Sequence, residues 1–156
     1  MADQIGSDAK RVEAIVAAHM HLEGPLLPIL HALQAEYGFV PRDAIPVVAN
    51  TLNLTRAEVY GVVSFYHDFR AKPAGRRVVK LCRAEACQSM GGNALASAVL
   101  KHFGIGWNET SPDGSATIEP VYCLGLCSVA PAALVDGVAH GRLNAAELIA
   151  TVEKGK

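Results

Sequence analysis

Several features that would direct a protein to nucleic acid, membranes or the cell exterior are missing from this 156-residue chain. The formal net charge is only −1, so there is no electrostatic basis for binding nucleic acid or an anionic membrane. No run approaches the roughly 18 apolar residues of a membrane span. The first ten residues lack the basic and apolar regions of a secretory signal. These absences predict a cytoplasmic protein without direct membrane insertion.

Motifs of a complete enzyme are also missing. Gly104-Ile105-Gly106 fails as a dinucleotide fingerprint, because Glu109 stands where the third glycine belongs. There is no P-loop and no Gly-x-Ser-x-Gly motif. The six histidines are scattered without metal-ligand spacing, which is more typical of surface or packing residues. The chain therefore shows no catalytic residue and no NAD or flavin site of its own.

What is present suits a well-buried globule, with 51% hydrophobic and 19% charged residues. Residues 1–72 are predicted to form a small helical bundle, since apolar residues recur at helical spacing between cap signals. Ser7 or Asp8 would cap the first helix, Gly38 would end the second, and Thr55-x-x-Glu58 is a capping box for the fourth. The predicted helices reach from the first cap to about Leu22, from Leu26 to Tyr37, from about Asp43 to Leu52, and onward from Thr55.

Residues 73–156 are predicted to form a second, α/β domain of thioredoxin-like type. The Pro- and Gly-containing segment around Pro73 marks the boundary, because helical spacing gives way to strand-like spacing there. The predicted order is β-α-β-β-β-β-α, with Asp136-Gly137 as a hairpin turn and Asn144 as the cap of the last helix. The predicted strands are 76–81, 106–110, 116–122, 132–135 and 138–140. The first helix of this second domain is predicted to begin at 91–93.

All four cysteines fall into two close couples, Cys82-x4-Cys87 and Cys123-x3-Cys127, separated by 35 residues. Four thiolates in two pairs suit a four-coordinate thiophilic centre. Structural zinc prefers C-x2-C knuckles, and neither couple has that form. The spacing predicts a [2Fe–2S] cluster held by these four residues, in the loops that follow two neighbouring strands. Zinc and redox-active thiols are the alternatives.

The residues around the cysteines suit a negatively charged cluster, which needs nearby hydrogen-bond donors. Gly91, Gly92 and Gly125 would let backbone N–H groups approach the sulfur atoms, and the helix opening at Asn93 would direct its positive end to the same place. These glycines could equally serve only turns and caps. Arg83 could raise the reduction potential, or it could simply be solvated.

Together the two cysteine couples, Pro120-Val121-Tyr122-Cys123, Gly125 and Ser64-Phe65-Tyr66 resemble the 24 kDa subunit family of complex I, over roughly residues 10–153. The resemblance implies a helical N-terminal part and a thioredoxin-like [2Fe–2S] domain. It also implies an electron-transfer subunit that exchanges electrons with the FMN of an NADH-binding partner. The resemblance further implies that the region 49–59 packs the helical part and helps to contact this flavin-bearing partner.

Within that family, three runs look most like the gamma subunit of soluble, molybdenum-containing NAD-dependent formate dehydrogenase. They are 24–31, 73–76 and 82–89. This likeness implies a molybdenum-containing alpha-type subunit and a beta-type subunit with FMN and NAD as partners. The alternatives are the equivalent subunit of complex I or of an NAD-reducing hydrogenase. An alternative of another class is a zinc-stabilised thioredoxin-like interaction module.

Two further features of the N-terminal part have alternative interpretations. Residues 49–59 could pass for a helix-turn-helix, but the next basic residue after Arg56 is Arg70, which leaves little charge for phosphate. An aromatic group could form an exposed docking patch, although its spacing favours core packing for most members. The group consists of Tyr37, Phe39, Phe65, Tyr66 and Phe69.

Overall fold

The computed structural model describes residues 8–154, which divide into two compact units. The first unit ends at Pro73 and the second begins at Ala74. Within residues 8–154, no helix combines the length and apolar character needed to cross a membrane.

Within residues 8–73, the first unit consists of four short helices whose ends follow the local capping chemistry. Asp8 accepts a hydrogen bond from the Lys10 N–H at 3.0 Å and so caps the first helix, whereas Ser7 lies outside the described residues. The capping box of Thr55 and Glu58 is confirmed in both directions, at 3.2 and 2.7 Å. Gly38 ends the second helix at φ 78°, as predicted. The helices are α1 (Ala9–His19), α2 (Leu26–Tyr37), α3 (Ala44–Leu52) and α4 (Arg56–Phe65).

A core of aliphatic side chains joins these four helices, and their surface carries an ion pair between Arg11 of α1 and Glu36 of α2 at 2.8 Å. The apolar face predicted for each helix from spacing packs in or against this core, except just beyond two helix ends, where Met20 is 45% exposed and Tyr66 is 44% exposed. The first helix ends three residues before the predicted Leu22. The buried core is formed chiefly by Val12, Val16, Ile29, Leu30, Leu33, Val48 and Val59.

The aromatic group divides between core and surface. Phe69 is only 8% exposed, and Tyr37 and Phe39 are half-buried. Phe65 is 73% exposed and Tyr66 is 44% exposed, so the preference for core packing is wrong for these two. Phe65 lies two positions beyond the last buried residue of α4 and therefore on another side of the helix, and the chain leaves helical geometry at Tyr66.

Within residues 74–154, the second unit is a five-stranded mixed sheet with three α-helices. The elements are β1 (Arg77–Cys82), α5 (Glu85–Ser89), α6 (Gly92–Phe103), β2 (Glu109–Thr110), β3 (Ala116–Val121), β4 (Ala133–Val135), β5 (Val138–His140) and α7 (Ala145–Glu153). The strand order is β2-β3-β1-β4-β5, in which β1 and β3 pair in parallel and the other three pairs are antiparallel. Two helices lie between β1 and β3, as a parallel crossover requires.

Two details of this unit differ from the prediction. The strand expected over 106–110 is reduced to two residues, because the Glu109 carboxylate accepts a hydrogen bond from the Gly106 N–H at 2.7 Å and Asn108 adopts φ 60°. These features fold the segment into a turn. The second difference is two short helical segments that no periodic pattern predicted. They are the five-residue helix α5 and a 3₁₀ turn at Cys127–Val129, in the loop after β3.

The core of the second unit lies between α6, α7 and the strands β1, β3 and β4. The hairpin between β4 and β5 turns at Asp136-Gly137, both at positive φ, as predicted. Asn144 caps α7 by accepting a hydrogen bond from the Glu147 N–H at 2.9 Å. The buried side chains of this core include Val79, Leu81, Leu95, Val99, Ile118, Val135, Leu148 and Val152.

Candidate metal centre

The two cysteine couples meet because they follow adjacent parallel strands. Cys82 is the last residue of β1 and lies opposite Val121, the last residue of β3, while Cys123 comes two residues later. Carboxyl ends of parallel strands lie at the same edge of a sheet, so both couples are placed there. The expectation that the first couple lies in a loop is wrong. Cys82 belongs to β1, and Cys87 belongs to α5.

The first couple is buried under the start of α6. Cys82 is 6% exposed and Cys87 is 2% exposed. A Cβ atom at Gly92 would lie 2.5 Å from the Cys87 carbonyl oxygen, so only glycine allows this approach. Gly91 serves as the left-handed residue that precedes α6, at φ 89°. The first turn of α6 therefore lies directly against Cys87.

The second couple is exposed and sits in a tightly turned loop. Cys123 adopts φ 112°, which side-chain-bearing residues rarely adopt, and Gly125 follows at φ 74°. The Gly125 N–H donates a hydrogen bond to the Cys123 sulfur at 3.4 Å, as expected for a donor aimed at a cluster ligand. Cys127 is the first residue of the 3₁₀ turn, and both cysteine residues are exposed. The strained loop thus places the second couple at the surface.

Hydrogen bonds connect the two loops through Cys82. Burial raises the pKa of its thiol, but hydrogen bonds with the Ala84 backbone, the Cys87 thiol and the backbones of Leu124 and Cys123 outweigh burial and lower the pKa overall. The second cysteine loop therefore helps to stabilise the thiolate form of a residue in the first. A thiolate is the form that ligates a metal.

The thiols of Cys87 and Cys127 have raised pKa values and so hold their protons more tightly. Burial is the main reason why the pKa of Cys87 is raised, and its hydrogen bond with Cys82 raises it further. The hydrogen bond with Cys123 raises the pKa of Cys127. Within each couple one thiol is thus hydrogen-bonded to its neighbour. Metal binding would release these protons, because the ligands must be thiolates.

The donor set and its surroundings fit a thiolate-ligated cluster. Cys82 and Cys87 pack with Ala130 and Ala132 in an apolar cluster, and the Cys82 N–H donates to the Ala132 carbonyl at 3.0 Å. The thiols are paired two and two, by a hydrogen bond within each couple. Soft ligands in two pairs suit a binuclear iron–sulfur group.

Further residues near the first couple form a network that sequence reasoning did not find. The Arg83 guanidinium lies over the Trp107 ring, 5.1 Å from its centroid, and donates to the Asn93 side chain at 3.4 Å. Gln88 links Asn93 to the Arg83 carbonyl oxygen. No sequence signal connects Arg83 with Trp107, because they are brought together only by the packing of their loops.

The fold and site define an α/β protein with a four-cysteine centre at the edge of its sheet. The family of thioredoxin-like [2Fe-2S] ferredoxins matches residues 12–156. The chain belongs to this family, which confirms the predicted thioredoxin-like ferredoxin fold. A [2Fe–2S] cluster is therefore its implied cofactor.

Similar chains from other organisms are components of larger oxidoreductases. The chain is 35% identical over 144 residues to a subunit of the NADH-quinone oxidoreductase of Rhizobium meliloti, covering 92% of this chain and 86% of that one. It is 32% identical over 122 residues to the HndA subunit of the NADP-reducing hydrogenase of Solidesulfovibrio fructosivorans, covering 78% and 71%. The predicted relationship to the 24 kDa subunit family of complex I is confirmed by these matches.

A solved structure shows the same architecture. A crystal structure of NAD⁺-reducing [NiFe]-hydrogenase matches with a TM-score of 0.67 and 28% identity, over 80% of this chain and 22% of the hydrogenase chain. The chain is thus similar to one part of a longer polypeptide. The comparisons place it among electron-transfer [2Fe–2S] subunits of NADH-dehydrogenase-like modules.

Proposed function

We propose that Cys82, Cys87, Cys123 and Cys127 are the four ligands of the [2Fe–2S] cluster. The observation that carries this proposal is the placement of both couples at the carboxyl ends of the parallel strands β1 and β3. When bound, the cluster supplies one-electron transfer. No residue of the chain is assigned as acid, base or nucleophile.

The chain's own residues would hold the site and limit access to it. The buried couple and the apolar Ala130 and Ala132 exclude water from one side. The backbone N–H of Gly125 donates to the Cys123 sulfur and would offset negative charge. Exposure of Cys123 and Cys127 leaves the other side open to a redox partner.

Iron and acid-labile sulfide analysis of anaerobically purified protein tests this assignment. We expect about two irons and two sulfides per chain and a rhombic S = 1/2 EPR signal after dithionite reduction, as one reduced Cys₄ [2Fe–2S] cluster requires. Zinc with a colourless monomer would replace this proposal with the zinc-stabilised interaction module. Free thiols without metal would contradict both.

We propose that this chain is the gamma subunit of an NAD-dependent formate dehydrogenase complex. The support is the likeness of residues 24–31, 73–76 and 82–89 to that subunit. The partners would be a beta-type subunit with FMN and NAD and an alpha-type subunit with the molybdenum cofactor. This chain would exchange electrons with the FMN.

A second candidate is the equivalent subunit of complex I or of an NAD-reducing hydrogenase, which the 35% identity to the NADH-quinone oxidoreductase component of Rhizobium meliloti favours. Purification of the native complex through a tag on this chain separates the two. Formate-dependent NAD⁺ reduction together with bound molybdenum would support the formate dehydrogenase. Nickel with hydrogen-dependent activity, or quinone-linked membrane subunits, would overturn it.

A further inference from the structure

Arg83 is held next to the buried cysteine couple by its main chain. It directly follows Cys82, and its N–H donates to the Val121 carbonyl at 2.7 Å. Its carbonyl accepts a hydrogen bond from the Gln88 side chain, also at 2.7 Å. The backbone of Arg83 is therefore fixed between the end of β3 and the helix that carries Cys87.

The guanidinium of Arg83 is fixed as well. It lies over the Trp107 ring at 5.1 Å, which is a cation–π contact, and its Nη2 donates to Asn93 Oδ1 at 3.4 Å. Its Nε is buried without a hydrogen-bond partner. No carboxylate within the described part of the chain forms an ion pair with Arg83. Its positive charge is thus oriented but not neutralised.

The residues that orient Arg83 also hold the cysteine loop. Asn93 donates through its side-chain nitrogen to Gln88 Oε1 at 3.3 Å, which closes a ring of contacts from Arg83 to Gln88 to Asn93 and back to Arg83. Gln88 is adjacent to Cys87 in α5, and Asn93 is adjacent to Gly92 in the first turn of α6. The hydrogen bonds that hold the Arg83 guanidinium therefore also connect the segments that carry and contact Cys87.

We propose that Arg83, held over the Trp107 ring, raises the reduction potential of the centre. This inference rests on the proposed cluster. One-electron reduction adds one negative charge at the site, and a fixed cation on the residue that follows Cys82 stabilises the reduced form more than the oxidised form. A solvated arginine would have a weaker effect, because water and salt would screen it.

The test is an EPR-monitored redox titration of the cluster-loaded full chain. In Arg83→Gln we expect the equilibrium constant for reduction to fall about tenfold, which for one electron is a decrease of about 59 mV. Arg83→Lys keeps the charge but loses the planar guanidinium that lies over Trp107, so its potential should lie between those of Arg83→Gln and the unaltered protein. Arg76→Gln is the matched control, since it removes a cation about 20 Å from Cys82 along the strand direction and should change the constant less than about twofold.

The outcomes distinguish this inference from the proposed function. Unaltered protein without iron and sulfide would contradict the cluster itself. An unchanged potential in Arg83→Gln with full iron content would overturn the role of Arg83 and leave the cluster assignment standing. If Arg83→Gln does not retain iron, Trp107→Leu tests the role of Arg83 instead. This variant keeps the charge of Arg83 and removes the aromatic ring over which the guanidinium lies. The potential should then fall, and an unchanged value with full iron content would overturn the inference.

Discussion

Cys82, the last residue of β1, lies opposite Val121, the last residue of β3, in a parallel pairing. This register brings together two cysteine couples that are 35 residues apart in sequence. A shift of one residue would turn the side chains after one strand to the other face of the sheet. The site therefore depends on the correct pairing of these two strands.

Replacing Cys123 with Ser should abolish or strongly perturb the cluster while the helical unit stays folded. The hydroxyl is a harder and much less acidic ligand than a thiol. Iron content, the visible spectrum and far-UV circular dichroism would show this combination. Ser128→Ala, at an exposed position next to Cys127, is the control and should keep full iron. A visible spectrum that survives unchanged in Cys123→Ser would contradict the ligand assignment.

Gly92→Ala should destabilise the second unit by about 1–3 kcal/mol and lower its iron content, because the added Cβ would lie 2.5 Å from the Cys87 carbonyl oxygen. Gly61→Ala in α4 is the opposite case, since nothing beyond the adjacent residues and backbone of its own helix lies within 4 Å of its added Cβ. It should stabilise the first unit by about 0.5–1 kcal/mol through helix propensity. Denaturant unfolding of both variants measures these changes. Equal effects would argue against close packing at Cys87.

The capping box should make the stability of the helical unit depend on acid. Hydrogen bonds from the Thr55 backbone and then from its hydroxyl lower the pKa of Glu58, and the hydrogen bond with Arg11 lowers that of Glu36. Stability from a lowered pKa is present above the unfolded value of about 4.3 and is lost as pH falls through the folded value. We expect the free energy of unfolding to decrease from about pH 5 toward about pH 2.

The variant Glu58→Gln should be less stable than the unaltered protein at neutral pH and should lose less stability on acidification. Glu13→Gln, on the exposed surface of α1, is the matched control. Chemical denaturation at about pH 7 and about pH 3, followed by circular dichroism, gives both comparisons. If the free energy of unfolding decreases equally on acidification in Glu58→Gln and in the unaltered chain, the Glu58 carboxylate is not a source of the acid sensitivity.

Two phenylalanines that lie four residues apart should respond differently to truncation. Phe69 is 8% exposed, and Phe69→Ala should cost about 3–5 kcal/mol. Phe65 is 73% exposed, and Phe65→Ala should change stability by no more than about 0.5 kcal/mol. Thermal and denaturant unfolding would compare them. A large loss of stability in Phe65→Ala would indicate that Phe65 is packed in the core, contrary to the structure.

Local signals explain why much of the fold could be predicted. The capping box at Thr55, the left-handed Gly38 and the hairpin turn at Asp136-Gly137 each depend on a few neighbouring residues. The cysteine couples were recognisable for the same reason. Their spacing and their position after strand-like segments indicated where they would meet.

The differences from prediction come from contacts that local patterns do not encode. The helix α5 has five residues, which is too short for an apolar period. A side-chain hydrogen bond from the Gly106 N–H to Glu109 shortens β2. Arg83 and Trp107 lie 24 positions apart, so their contact depends on the tertiary fold. The sequence indicated Arg83 as a residue that could affect the potential, but it did not show that Trp107 and Asn93 hold the guanidinium in place.

The crossover between β1 and β3 also sets the order of events in biosynthesis. Cys82 leaves the ribosome with β1 and Cys87 with α5, but α6 and β2 must also be synthesised before β3 can pair with β1. Contacts between distant segments form late, because chain closure has an entropic cost. The four proposed ligands would therefore come together only after β3 has paired with β1, and before that step the first couple would offer two sulfur ligands alone.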